Sequence, residues 1–172
     1  KASAEIIGAM DFDGFGIGGS FDKKDIEASV AAATTVLPIN KPRHLLGIGA
    51  VPDLFAGVWQ GIDTFDCVIP TRIARHGALE TATGRINILN ARYRADFGPV
   101  ETSCLCHTCT HYSRAYLAHL FRAQEMLGAT LASVHNLYFF VNLVKQMRAA
   151  ILQDTFESFR QQFLTRYLSK LV

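Results

Sequence analysis

Apolar residues in the first part of the chain fall into two alternating kinds of run, short β-like stretches and longer stretches with helical spacing. The opening KASAEIIGAM reads as a helix already under way, without an initial Met, which suggests a piece of a longer protein. Phe15–Ile17 predicts a strand that ends in Gly18-Gly19. Lys23–Leu37 predicts a helix, with Asp22 or Ser20 as its cap and Ile26, Val30 and Ala33 on one stripe. Leu45–Ile48 predicts a second strand, closed by Gly49. Pro52 and Asp53 open a helix that runs to about Gly61, proline being favoured in a first turn. Phe65–Ile69 predicts a third strand, stopped by Pro70. A β-α-β-α-β order implies parallel strands covered by helices.

From Thr71 to Val100 the pattern is irregular, with one β-like stretch at Arg85–Leu89. Helical spacing then returns. Ser113–Leu127 carries Tyr116, Leu117, Leu120 and Phe121 on one face, and Gly128 is its expected stop. Ala129–Leu152 predicts a longer helix. Thr155 caps a last one, whose stripe is Phe156, Phe159, Phe163 and Tyr167. Two α/β architectures suit the first part, an open doubly wound sheet or part of a (β/α)8 barrel. No G-x-G-x-x-G fingerprint is present, which argues against a dinucleotide site. A full barrel takes about 250 residues, so three β/α units are the tail of one.

A hydrophobic content of 49% and a charged content of 19% describe a globular chain with a real core. The net charge of +2 does not announce a nucleic-acid partner. The local distribution is less even, because Arg72, Arg75, Arg85, Arg92 and Arg94 have Glu80 as their only acidic neighbour before Asp96. Such a run is either a solvated face or a phosphate-contacting surface. There is no signal-peptide pattern, and the longest apolar region, Leu137–Val144, is interrupted by Asn142 and followed by Lys145, too short to span a membrane. Four cysteines without an evident pairing scheme suit a reducing cytoplasm.

Three of those cysteines, Cys104, Cys106 and Cys109, crowd into the spacing C-x-C-x-x-C. Thiolates this close serve poorly as disulfides and well as zinc ligands, and zinc takes four. His135, on the long helix, is the best fourth ligand. His107 and His111, in the same loop, are rivals, although His107 lies inside the Cys106–Cys109 turn and should point outward. Four protein ligands leave no position for an activated water, so such a zinc is structural.

Asp66 interrupts the apolar stretch FDCVIP. Strand alternation places Asp66, Val68 and Pro70 on one face, and Phe65, Cys67 and Ile69 on the other. A carboxylate inside a barrel costs several kcal/mol unless it is partnered, and barrel active sites lie at the C-terminal ends of strands. Asp66 is therefore either a working carboxylate or a structural one bonded to backbone amides. Asp63 reads as a turn residue. Gly18-Gly19 and Gly47-x-Gly49 end the two preceding strands, as plain turns or as places where backbone must approach a flat ligand.

FDCVIPTR, GRINILNARY, the C-x-C-x-x-C knuckle, SRAYLAHLFRAQEMLGA and the later His-Asn closely resemble the C-terminal half of tRNA-guanine transglycosylase (queuine tRNA-ribosyltransferase) of the bacterial type. The resemblance covers essentially all 172 residues. It implies the C-terminal part of an irregular (β/α)8 TIM barrel with an inserted zinc-binding subdomain and a helical tail. Residues 1–100 would hold the last β/α units and the irregular segment, and residues 101–172 the zinc subdomain and C-terminal helices. The implied activity exchanges guanine at the wobble position of tRNA for a 7-deazaguanine base, preQ1, in a cytoplasmic, dimeric enzyme with no membrane partner.

Carried over residue by residue, Asp66 matches the nucleophile that forms a covalent intermediate with the ribose. Gly18 and Gly19 match the base-binding backbone. Gly47, Ile48, Gly49, Ala50, Val51, Pro52 and Asp53 match one RNA-contacting stretch, and Thr71, Arg72, Ile73, Ala74 and Arg75 another. Cys104, Cys106, Cys109 and His135 match the zinc ligands. The chain departs from the commonest bacterial pattern after Gly19, where it reads SFDKKD instead of a small apolar run and a Gly-Glu pair. The family's proton-accepting aspartate belongs to its N-terminal half, so this chain by itself is expected to be inactive. A non-catalytic tRNA-docking and dimerising subunit, or a bare zinc-stabilised binding module, are the alternatives; Asp66, Arg72 and Arg75 favour the enzyme.

Overall fold

The computed structural model describes residues 1–19 and 26–169, which form two compact units, Lys1–Val68 and Ile69–Val172. The boundary expected at residue 100 falls within the second unit; the compact units part between Val68 and Ile69.

In the first unit, helix α1 (Ala2–Gly8) precedes β1 (Phe15–Ile17), α2 (Ile26–Thr34), β2 (Arg43–Leu45), α3 (Val51–Trp59) and β3 (Thr64–Phe65). The strands form a parallel sheet in the order β1-β2-β3, with Gly16 opposite His44 and His44 opposite Thr64. Alternation sends Phe15, Ile17 and Leu45 into a core with Ile26, Val30, Leu37 and Ile62. Gly16, His44 and Thr64 take the other face. The expected caps Ser20 and Asp22, and the first residues of the expected helix, lie outside the described residues.

Two strands differ from their sequence expectation. The second ends at Leu45, before the apolar Leu46 and Ile48, because Gly47 turns the chain at φ +71°. The third ends at Phe65, because Pro70 belongs to the first turn of helix α4 (Ile69–Ala74), so the alternation expected through Ile69 stops early. Asp63 behaves as a turn residue: its carboxylate accepts the Arg43 N–H at 2.8 Å and its own N–H donates to the Arg43 carbonyl at 2.9 Å.

After α4, the second unit contains an antiparallel hairpin of β4 (Ala78–Thr81) and β5 (Gly84–Asn87), a 3-10 turn at Ala91–Tyr93, and helices α5 (His107–His111), α6 (Arg114–Arg122), α7 (Met126–Leu152) and α8 (Phe156–Leu168). The pattern gave no sign of α4 or β4. Ser113 caps α6 by accepting the Tyr116 N–H. That helix ends at Arg122 rather than near Gly128: Gln124, at φ 57°, takes the left-handed turn, and Gly128 lies inside α7. Thr155 does flank α8, but its hydroxyl donates to the Ala150 carbonyl instead of capping.

Helix α7 is long and apolar enough to cross a membrane by length and composition, contrary to the expectation from the sequence. It is the core helix of the second unit, packed against α4, α5, α6, α8 and β4. Its buried positions, including Leu131, His135, Phe139, Leu143 and Met147, recur at helical spacing. Two polar residues on that stripe are fully buried, His135 and Asn136. Asn136 accepts the Glu80 N–H through Oδ1 and donates through Nδ2 to the carbonyls of Pro70 and Ala78, each at 3.0 Å.

Glu80 is also fully buried. Its Oε1 accepts from Arg85 Nε and Nη2 at 2.8 and 2.6 Å, across the hairpin, and its Oε2 accepts from the Tyr167 hydroxyl at 2.7 Å. Burial and the neighbouring Glu80 charge push the Tyr167 phenol well above its ordinary range. Removing the Glu80 carboxylate leaves the buried Tyr167 hydroxyl without its partner, whereas the exposed Arg85 turns to water. Glu80→Ala should therefore lower the unfolding free energy by about 2–3 kcal/mol in chemical denaturation. Tyr167→Phe, which leaves the Arg85 pair intact, should cost about 2 kcal/mol.

Candidate functional site

The group that could hold a metal ion lies in the second unit. Cys104, Cys106, Cys109 and His135 bring their ligand atoms within 4.8 Å of one another. The C-x-x-C spacing has a local cause: Cys106 is the N-cap of α5, and its sulfur accepts the Cys109 N–H at 3.3 Å. His135 Nδ1 lies 3.8, 3.5 and 3.3 Å from the sulfurs of Cys104, Cys106 and Cys109. A zinc tetrahedron with ordinary bond lengths separates sulfur from nitrogen by roughly 3.6 Å. The donor set and its spacing fit a single tetrahedral ion.

The imidazole is fixed from behind. His135 Nε2 lies 2.7 Å from the Glu80 carbonyl, which can only accept, so Nε2 carries the proton and Nδ1 is the ligand atom. His107 and His111 stand outside the group, their rings 4.3 Å apart, and His107 is exposed as expected.

The protonation of these four groups is set largely by their contacts with one another. Hydrogen bonds from Cys104 and Cys109 pull the Cys106 thiol far down. Hydrogen bonds with Cys104 and Cys106 push Cys109 far up. Burial pulls His135 down, but the sulfurs and the Glu80 carbonyl outweigh it and hold the ring at about 10. The rival of a metal here is the proton.

The candidate reactive group lies in the first unit. Asp66 follows the C-terminal end of β3, and its side chain is 60% exposed rather than buried as a barrel interior would require. Its position two residues after Thr64 continues the face that carries His44 and Thr64. Oδ1 accepts from the Gly47 N–H at 3.1 Å and lies 3.0 Å from His44 Nε2. The His44 hydrogen bond first, and then that of Gly47, lower the Asp66 pKa, so the carboxylate is ionised at neutral pH.

The strand ends approach closely. A Cβ on Gly49 would overlap the Cβ and Sγ of Cys67, the residue after Asp66. Gly18 and Gly19 are exposed at the end of β1. In the stretch from Gly47 to Asp53, Gly47 and Pro52 are exposed, Ile48, Ala50 and Asp53 are half-buried, and Gly49 and Val51 are buried. In the second unit, Arg72 and Arg75 are exposed, Thr71 and Ile73 are half-buried, and Ala74 is fully buried in the core. Arg85 is committed to Glu80, while Arg92 lies over the Tyr93 ring, 4.6 Å from its centre.

Sequence reasoning passed over His44, Thr64 and Glu80. His44 was legible in principle, because the parallel register puts it on the same face as Asp66. Glu80 carried no such signal, since its partners are 5, 56 and 87 residues away.

A family profile described as queuine tRNA-ribosyltransferase matches residues 1–169. Proteins named queuine tRNA-ribosyltransferase from Streptococcus equi subsp. zooepidemicus and Lactococcus lactis subsp. lactis are each 49% identical over 170 residues. These alignments cover 97% of this chain and 44% of each relative, so the chain spans less than half the length of the curated relatives it matches.

The four-ligand group should take up one divalent ion per chain by elemental analysis. Cys106→Ser should lose most of it, and full occupancy in His135→Ala would overturn that ligand. Because the thiols and imidazole bind metal only when deprotonated, acidification should release the ion to a chromogenic chelator, and raising the pH should restore it.

Proposed function

The chain belongs to the queuine tRNA-ribosyltransferase family, and we propose that it supplies the C-terminal part of an enzyme that exchanges guanine at the tRNA wobble position for a 7-deazaguanine, preQ1. The observation that carries this reading is Asp66: an ionised, accessible carboxylate at the end of a parallel strand, held on one oxygen and open on the other. In this reading the three strands β1-β2-β3 are part of a (β/α)8 barrel, and their uncovered face with Gly16, His44 and Thr64 looks into its interior.

Asp66 attacks C1′ of the ribose as the C1′–N9 bond breaks, and the electron pair leaves on guanine. The purine takes its proton from a carboxylic acid contributed by the rest of the enzyme. The incoming base then displaces the carboxylate, so one glycosidic bond replaces another without a separate energy source. Gly18 and Gly19 offer backbone to the flat base. The segment from Gly47 to Asp53 and the exposed Arg72 and Arg75 contact the RNA. Zinc held by Cys104, Cys106, Cys109 and His135 is a structural staple with all four positions filled by protein. The complete enzyme is a cytoplasmic homodimer.

Asp66→Asn keeps the shape and removes the attacking charge. In the complete enzyme it should abolish guanine exchange and the denaturant-resistant tRNA adduct, while tRNA affinity stays within about threefold; an adduct that persists would refute the role. Loss of tRNA affinity with no adduct in the wild type would favour the docking subunit.

The arginines give a second test. Arg72→Ala or Arg75→Ala should cut exchange on cognate tRNA by at least about tenfold. Arg92→Ala or Arg94→Ala should do less, chiefly by reducing the salt dependence of binding. Exchange kinetics and affinity at two salt concentrations compare them, and equal damage from Arg92→Ala would place the RNA surface elsewhere.

A further inference from the structure

We propose that His44 is a positioning residue for Asp66: with the Gly47 amide it holds Oδ1, leaves Oδ2 to attack, and stabilises the carboxylate when it departs. This rests on Asp66 being the nucleophile. The geometry is explicit. His44 pairs with Thr64 across β2 and β3, and its Nδ1 is 2.7 Å from the Thr64 hydroxyl. Its Nε2 faces Asp66 Oδ1 at 3.0 Å. A carboxylate oxygen can only accept, so Nε2 carries a proton. In the neutral ring Nδ1 then accepts from the Thr64 hydroxyl, which fixes both tautomer and ring plane. Gly47 donates to the same Oδ1 at 3.1 Å. The His44 and Gly47 bonds both fall on Oδ1.

This one-sided arrangement makes a chemical choice. When the Oδ2–C1′ bond forms and the C1′–N9 pair leaves on the purine, Oδ1 becomes the carbonyl oxygen of an ester. In the second half of the exchange, N9 of the incoming base takes C1′ and yields its proton to a carboxylate of the complete enzyme. The Oδ2–C1′ pair returns to Asp66, and negative charge reappears on Oδ1, where two donors already point. Preorganised donors act most strongly where charge develops. They temper Asp66 as a nucleophile and improve it as a leaving group, as a group that must be both attached and released requires.

The experiment follows adduct formation and adduct breakdown separately in the complete enzyme, by single-turnover mixing and denaturing gels. His44→Phe keeps a ring and removes both hydrogen bonds. Its adduct should form within about threefold of the wild-type rate and resolve about 10- to 100-fold more slowly, so that it accumulates. His44→Gln, which restores an N–H donor, should recover most of the breakdown rate. Equal slowing of both steps would show a merely structural role, and unchanged rates would show none; either overturns the proposal. Absence of any adduct in the wild type would instead sink the nucleophile itself. Nitrogen NMR of His44 in the unaltered protein tests the geometry without a variant: a proton on Nε2 is expected, and a bare Nε2 would overturn it.

Discussion

Residue 80 is held by every polar group it possesses, and its bonds reach α7, β5 and α8 of the second unit. Its carbonyl accepts from His135, its N–H donates to Asn136, and its carboxylate takes Arg85 on one oxygen and Tyr167 on the other. A fully buried carboxylate is costly unless its oxygens are satisfied, and here satisfaction requires the hairpin, α7 and α8 to be in place together. The same residue therefore sets the tautomer of His135 and docks the last helix. Packing of the apolar stripe on α7 supplies cohesion, and the Glu80 cluster selects the arrangement in which that cohesion is used.

The two units solve different problems with similar means. In the second, the buried Glu80 is bonded to His135, Asn136, Arg85 and Tyr167, beside the four candidate ligand atoms. In the first, the His44 and Gly47 bonds to Asp66 fall on the same oxygen, and the side chain remains accessible. Parallel register does the placing: His44 and Thr64 are neighbours across the sheet, and the next position on the same face belongs to Asp66. Gly49 lets the ends of two strands come together over Cys67. The carboxylate thus owes its setting to backbone geometry and one imidazole.

Elements marked by strong local chemistry were legible in the sequence. Phe15–Ile17 appears as expected, Pro52 and Asp53 begin α3, and Thr155 precedes α8. The cysteine spacing, and His135 as its fourth member, could be read because metal ligands obey fixed distances. What failed did so where backbone overrode pattern. Leu46 and Ile48 look like strand, but Gly47 turns the chain between them. FDCVIP looks like a buried strand, but its proline starts a helix and its aspartate is exposed. Gly128 looks like a stop, yet Gln124 had already made the turn. The β4–β5 hairpin was only half seen, since a two-stranded ribbon tied by one half-buried ion pair leaves little periodicity to find.

The amide of Gly47 has a further consequence for how this site can change over generations. A side-chain donor such as His44 can be exchanged by one base substitution and tuned by selection. A main-chain donor cannot be deleted that way except by proline, whose φ is fixed near −65° and which therefore cannot occupy a position at φ +71°. Space around Gly47 is open, so what restricts it is conformation and not crowding. Half of the anchoring of Asp66 is thus beyond the reach of ordinary drift, and variation in the strength of that anchoring must pass through position 44.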